Sequence, residues 1–278
     1  WKVSIAEDLQ NNQWLTKETG AGGAGFRSQW DAGFVHPIRQ AVISANDNDR
    51  NMWAVRDALS HHYNGEALQR VIYTESHDEI ANGNSRVPEE IWPGNADSWF
   101  SRKRSVLGAA MVFTAPGIPM IFQGQEFLED EYFRDNVPLD WSRREKFRGI
   151  HQLYRDLIRL RRNWYNQTRG LRGKHINVHH VNNTDKVIAF HRWQNGGQGD
   201  DVVIVANFAN QSYSNYTVGM PHAGCWRVRF NSDWHGYDDE FSSQPGYDTL
   251  ASSGSADNMP FQADVGIGPY SVLILSQD

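Results

Sequence analysis

Residues 73–83 read YTESHDEIANG, and Glu75, His77, Asp78 and Glu79 stand together directly after the apolar run VIY. Like charges at this spacing repel, and burying each costs several kcal/mol unless it is paired or used. The cluster is therefore either a solvated turn or part of an active site in which carboxylates handle protons. Two other stretches have the same form. Lys2–Ala6 ends at the acidic pair Glu7-Asp8, and the apolar run IPMIFQG (118–124) leads to Gln123, Gln125 and Glu126.

These groups need elements to hold them. Lys2–Ala6, VIYT (71–74) and IPMIFQG (118–124) read as short strands, apolar throughout and so buried on both faces, which implies a parallel sheet. Between them, NDNDRNMWAVRDALSHHYNG (46–65) predicts a helix with Met52, Val55 and Leu59 on one face, Asn and Asp as caps, and Gly65 as its stop. RKRSVLGAAMVFTAPG (102–117) predicts a second helix, ended by Pro116-Gly117. REKFRGIHQLYRDLIRLRRN (144–163) predicts a third, with Phe147, Ile150, Leu153, Tyr154, Leu157 and Ile158 at helical spacing. In parallel α/β folds the functional groups sit at the C-terminal ends of the strands, where Glu7 and the Glu75–Asp78 group stand.

After about residue 170 the texture changes. HINVHHV, KVIAFHRW, DVVIVANF, YSNYTVGM, CWRVRF and SVLILS are strand-like runs separated by turn signals such as NNTD and NGGQGD. They predict an antiparallel β-sandwich. The fold class expected is α/β followed by all-β, with domains at 1–170 and 171–278.

The composition excludes some functions. A net charge of −6 argues against nucleic acid, whose phosphates reward clustered Lys and Arg. The basic run RLRRN (159–163) reads as a solvated helix face. No apolar run approaches the ~20 residues a membrane span needs. The Gly-rich TGAGGAGF (19–26) lacks the spacing of a phosphate-binding loop and reads as a surface loop. Cys225 is the only cysteine, so neither an intrachain disulfide nor a cysteine metal site is available. It reads as a small buried residue, and a cytoplasmic setting is expected. The 11 Trp suit both a core and stacking on sugar rings.

The order IAEDLQ, GGAGF, YTESHDE and APGIPMIFQGQEF resembles the ordered motifs of the α-amylase family of glycoside hydrolases, and within it those of α-1,4-glucan branching enzymes. The tail, with FNSDWHGYDDEF and GIGPYSVLILS, is similar to that family's C-terminal all-β domain. The resemblance implies the second half of a (β/α)8 TIM barrel. Lys2–Ala6 would be its fifth strand, a segment near Phe26–Gly33 its sixth, Val71–Thr74 its seventh and Ile118–Gln123 its eighth. It further implies that Glu7 is the general acid/base and Asp78 the carboxylate that binds sugar hydroxyls and supports the transition state, with His77 hydrogen-bonding the same sugar. The nucleophilic Asp of the family's fourth strand has no counterpart in residues 1–278. The upstream half of the barrel is therefore required, and the chain reads as starting inside a domain and folding poorly alone.

Other residues stay open between two readings. Trp14 is a glucose-stacking ring or core, and Glu126 a substrate contact or a loop anchor. Asn82 is a turn residue or a ligand. PEEIWPGN (88–95) reads as a rim loop, and Trp92 in it is a glucan contact or an ordinary loop residue. Glu75 and Glu79 orient the loop or cap a following turn. The implied activity is branching of glycogen or starch, without metal or cofactor. The alternatives are an amylase-type hydrolase or a non-catalytic glucan-binding chain.

Overall fold

The computed structural model describes residues 2–81, 83–241 and 244–278; Asn82 lies outside them. Strands β1 (Ile5–Ala6), β2 (Ser28–Trp30), β3 (Arg70–Ile72) and β4 (Ile118–Pro119) form one sheet in that order, every pairing parallel. Ile5, Ser28, Trp30, Val71 and Ile118 share one face by register, and Gln29, Arg70 and Ile72 the other. Among the described residues, β1 and β4 each pair on one side only.

Helices α1 (Ala32–Ile43), α2 (Met52–Ser60), α3 (Val87–Ile91), α4 (Trp99–Thr114), α5 (Ser142–Lys146) and α6 (Arg148–Arg161) accompany the sheet. α2 begins later than its sequence suggests. Asp47–Asp49 form a separate 3-10 turn, and the Asn51 side chain accepts from the Trp53 and Ala54 N–H groups, meeting donors that a helix start leaves unpaired. Ser98 caps α4 in the same way. Two helices were not predicted. α1 contains Gly33 and Pro37, both helix-weakening in isolation, yet packing buries its Phe34, Val35, Ile38 and Val42 face. α3 replaces the predicted rim loop, with Pro88 in its first turn, where a missing N–H costs nothing.

The second part is an eight-stranded antiparallel sheet built from β5 (His175–Asn182), β6 (Val187–Trp193), β7 (Val202–Asn207), β8 (Tyr213–Met220), β9 (Gly224–Asn231), β10 (Thr249–Ala256), β11 (Met259–Ile267) and β12 (Ser271–Ser276). Its order is β5-β6-β7-β12-β9-β10-β11-β8. Successive strand residues face opposite ways. Val187, Ala189, Val203, Val205, Leu273 and Leu275 meet Val218, Met220, Trp226 and Val265 in one core. Their neighbours Ile188, Phe190, Ile204, Val272 and Ile274 meet Leu107, Met111, Leu153 and Leu157 in another. β6, β7 and β12 are therefore covered on both sides, which is why an antiparallel sheet contains unbroken apolar runs.

The two parts also share buried polar links. Lys103 on α4 pairs with Asp233. The buried Arg192 guanidinium of β6 donates to the Thr114 and Gly173 carbonyls. Arg161, read as part of a solvated basic face, instead turns under α4 and donates to the Phe113, Ala115 and Gly117 carbonyls. Cys225 is exposed rather than buried, because its neighbour Trp226 takes the inward position of β9. Trp14, Trp53, Trp92, Trp141, Trp164 and Trp234 are exposed as well, so the tryptophans belong less to the core than the composition implied. No helix among the described residues is long and apolar enough to cross a membrane.

Candidate active site

Parallel pairing brings the C-terminal ends of β1, β2 and β3 to one edge of the sheet. Glu7 follows β1, Trp30 ends β2, and Tyr73–Asp78 follow β3. The Asp31 N–H donates to the Val71 carbonyl, extending the β2–β3 register past the strand ends. Trp30 packs edge-on against Tyr73, with ring centroids 5.2 Å apart, and against His77 at 5.8 Å. The imidazole so held lies with Nε2 3.2 Å from Glu7 Oε1 and 3.3 Å from Asp78 Oδ1. One ligand-type atom from each of the three lies within 4.8 Å of the others. The group can share protons, accept hydroxyl hydrogen bonds or admit a cation.

Burial divides the acidic residues. Side chains of Glu7, Asp78 and His77 are 54%, 48% and 44% exposed, so deep burial does not fall on Glu7 among the described residues. It falls on Glu75. That side chain is fully buried, pairs with Arg86 at 3.4 Å and accepts from the Val87 N–H at 2.6 Å. Burial pushes its carboxyl above the usual range, against the pull of Arg86, Arg39 and the Val87 N–H. Glu75 thus ties the loop to the start of α3. Glu79 faces Arg39 and His36.

Tyr73, which the motif reading passed over, is buried, and its hydroxyl has no hydrogen-bond partner among the described residues. Burial first, and then Glu79, Asp78, Asp31 and Glu7, push its phenol far above the ordinary range. Its place directly after VIY was the available signal.

Neither Trp14 nor Glu126 belongs to the three-residue group. Trp14 lies on the loop after β1, 48% exposed, with the Lys17 ammonium 3.9 Å over one face of its ring. Glu126 is half-buried in the 3-10 turn Gln125–Phe127. Its charge acts on the buried Tyr154 hydroxyl of α6, which burial and Glu75 also push up. Its turn is docked to the β3 loop through Gln125, whose amide donates to Thr74 Oγ1 at 2.6 Å.

A second acid, Asp31, is wholly buried. It pairs with Arg70 at 3.1 Å and His61 at 2.9 Å and accepts from the Tyr63 hydroxyl at 3.3 Å. Those partners make it a brace between α1, α2 and β3.

Comparison with known proteins follows this geometry. The family described as "Alpha amylase, C-terminal all-beta domain" matches residues 177–278. A 1,4-alpha-glucan branching enzyme of Prochlorococcus marinus (strain NATL1A) is 28% identical over 98% of this chain and 36% of its own length. One from Thermosynechococcus vestitus (strain NIES-2133 / IAM M-273 / BP-1) is 28% identical over 99% and 36%. The chain spans about a third of the length of these relatives. A pullulanase from Anoxybacillus sp. LM18-11, crystallised with maltotetraose, superposes with a TM-score of 0.65 at 17% identity, over 99% of this chain and 39% of that one. The all-β domain matched at residues 177–278 and the likenesses along the rest of the chain agree with the order of the motifs: the protein resembles the α-amylase family, and its C-terminal part matches that family's all-β domain.

Proposed function

We propose that the chain is part of an α-glucan-active retaining enzyme whose reaction is 1,4-α-glucan branching. The observation that carries this reading is the convergence of Glu7, His77 and Asp78 at the C-terminal edge of a parallel sheet. The similarity to branching enzymes supports it.

Retaining transfer needs a nucleophilic carboxylate and a carboxylic acid on opposite sides of the scissile bond. In the proposed reaction the nucleophile attacks the anomeric carbon as its bond to O4 breaks, and Glu7 gives its proton to the departing oxygen. Glu7 then takes the proton of an incoming 6-hydroxyl, whose oxygen replaces the carboxylate. Asp78 and His77 hold the hydroxyls of the reacting sugar. Polypeptide outside residues 1–278 supplies the nucleophile.

Three features support an outside contribution. β1 and β4 each pair on one side only among the described residues. Ile5, on the sheet face it shares with Trp30 and Val71, is exposed. The relatives are about three times as long. On this reading residues 1–170 are the second half of a barrel and 171–278 its all-β companion. The covering half would exclude water from the cleft around Glu7, the dry setting in which a general acid works. Trp14 would offer the ring face that Lys17 leaves free to a sugar, and Glu126 would lie at the rim. Neither a metal nor a cofactor enters the reaction.

The second reading is hydrolysis, in which water takes the place of the 6-hydroxyl. Amylose treated with the protein, expressed with its upstream coding sequence, separates the two. Branching lowers iodine absorbance without releasing reducing ends. Parallel release of reducing ends would sink the branching assignment, and glucan binding without either change would favour a non-catalytic role.

A further inference from the structure

The loop between β3 and α3 carries His77 and Asp78, yet both are about half exposed, and neither is fixed by its own burial. The Arg39 guanidinium, buried on α1, reaches this loop from beneath. Nη1 donates to the Thr74 carbonyl at 2.9 Å. Nη2 donates to the Ser85 carbonyl at 2.7 Å and the Glu79 carbonyl at 3.3 Å. Thr74 precedes the His77-Asp78 pair and Glu79 follows it, so one side chain holds the backbone on both sides.

Carboxylates hold the guanidinium in turn. Glu90 of α3 lies 3.0 Å from Nη2, and Glu79 lies 3.8 Å from Nε. Glu90 also accepts from the Ser85 N–H at 3.1 Å, and Glu79 is 3.6 Å from His36, one turn before Arg39 on α1.

We infer that Arg39 is a positioning residue for the reaction: it clamps the β3–α3 loop so that Asp78 and His77 meet Glu7 in one geometry. This rests on the proposed role of those three residues. The planar fork matters, because donors fixed in one plane can reach several carbonyls at once, whereas an ammonium is a single point of charge. A lysine would keep a charge toward Glu79 and Glu90, but its donors sit on one nitrogen and do not reproduce the fork in which Nη1 takes the Thr74 carbonyl and Nη2 the Ser85 carbonyl.

The test uses the protein expressed with its upstream coding sequence, assayed on amylose well below each variant's melting temperature. Arg39→Met is expected to lower kcat on the order of 100-fold, the cost of a misplaced catalytic group, while KM stays within about 2-fold. Arg39→Lys is expected to recover part of the loss. Folded Arg39→Met and Arg39→Lys proteins with wild-type kcat and only a lower melting temperature would overturn the clamp. Should Arg39→Met not fold, Glu90→Gln removes one anchor of the guanidinium. A several-fold lower kcat at unchanged KM then supports the clamp, and an unchanged kcat overturns it. Asp78→Asn, run beside them, separates the two layers. Full activity in Asp78→Asn overturns the reading of the site and the clamp with it. An inactive Asp78→Asn beside Arg39 variants of wild-type kcat overturns the clamp alone.

Discussion

His77 Nε2 stands 3.2 Å from Glu7 Oε1, joining the end of β1 to the loop after β3. The same atom is 3.3 Å from Asp78 Oδ1. One imidazole therefore separates two carboxylates that would otherwise repel, and Trp30 fixes its plane. On the proposed reaction, in protein expressed with its upstream coding sequence, Glu7→Gln is expected to lower kcat by about 1,000-fold, within the range for loss of a general acid. His77→Ala is expected to cost about 100-fold, the scale of one lost hydrogen-bond donor. Steady-state rates on amylose check both, and a Glu7→Gln protein with wild-type kcat would remove Glu7 from the chemistry.

Glu75 is expected to matter for folding rather than for chemistry. Glu75→Ala leaves the buried Arg86 without its carboxylate, a loss on the order of 3–5 kcal/mol. Urea denaturation measures it. A midpoint equal to wild type would mean that the Gln123 and Glu131 carbonyls hold Arg86 without Glu75.

Asp201 gives the β domain an acid-sensitive joint. It lies 2.9 Å from His191 and 2.8 Å from His222, and accepts from the Gly197 N–H. Burial works to raise its carboxyl, but the His191 hydrogen bond, the Gly197 N–H and the nearby histidines outweigh it and hold the carboxyl below its ordinary value. A lowered folded value means that this stabilisation is fully present above the ordinary carboxylate range near 4 and drains away as pH falls through the folded value. Asp201→Asn should therefore be less stable than wild type at neutral pH, and the gap should close in acid. A gap in urea midpoint that stays constant across that range would contradict this.

Gly149, in the first turn of α6, sits where a Cβ would lie 2.0 Å from the Tyr237 carbonyl oxygen. Gly149→Ala must push α6 from the 232–241 loop, whose Tyr237 also donates to Asp156 on that helix. A loss of about 1–3 kcal/mol is expected, the usual cost of overpacking, read as a lower melting temperature. An unchanged melt would show that the loop shifts freely.

Much of this was legible in the residues. Short apolar runs ending in polar and acidic residues located β1, β3 and β4, and the order of the motifs singled out Glu7, His77 and Asp78, which the fold brings together. Helical spacing found the buried face of α6 from Ile150 to Leu157. α1 was missed because Gly33 and Pro37 are local breakers, and a packed Phe34–Val42 face outweighs them only in the folded chain. α3 was missed because its brevity leaves no periodicity to read, and it is Glu75 and Arg39 that hold its start.

The sequence by itself determined which groups are present, which strand each follows and where the parallel part gives way to antiparallel strands, since side-chain period and turn chemistry are local. Only the tertiary structure decided burial and partnership. It sent Arg161 beneath α4, left Cys225 facing outward, buried Glu75 while leaving Glu7 open, and set Arg39 under the His77-Asp78 loop. Each outcome depends on which distant element packs against the residue, and composition and spacing carry no record of that.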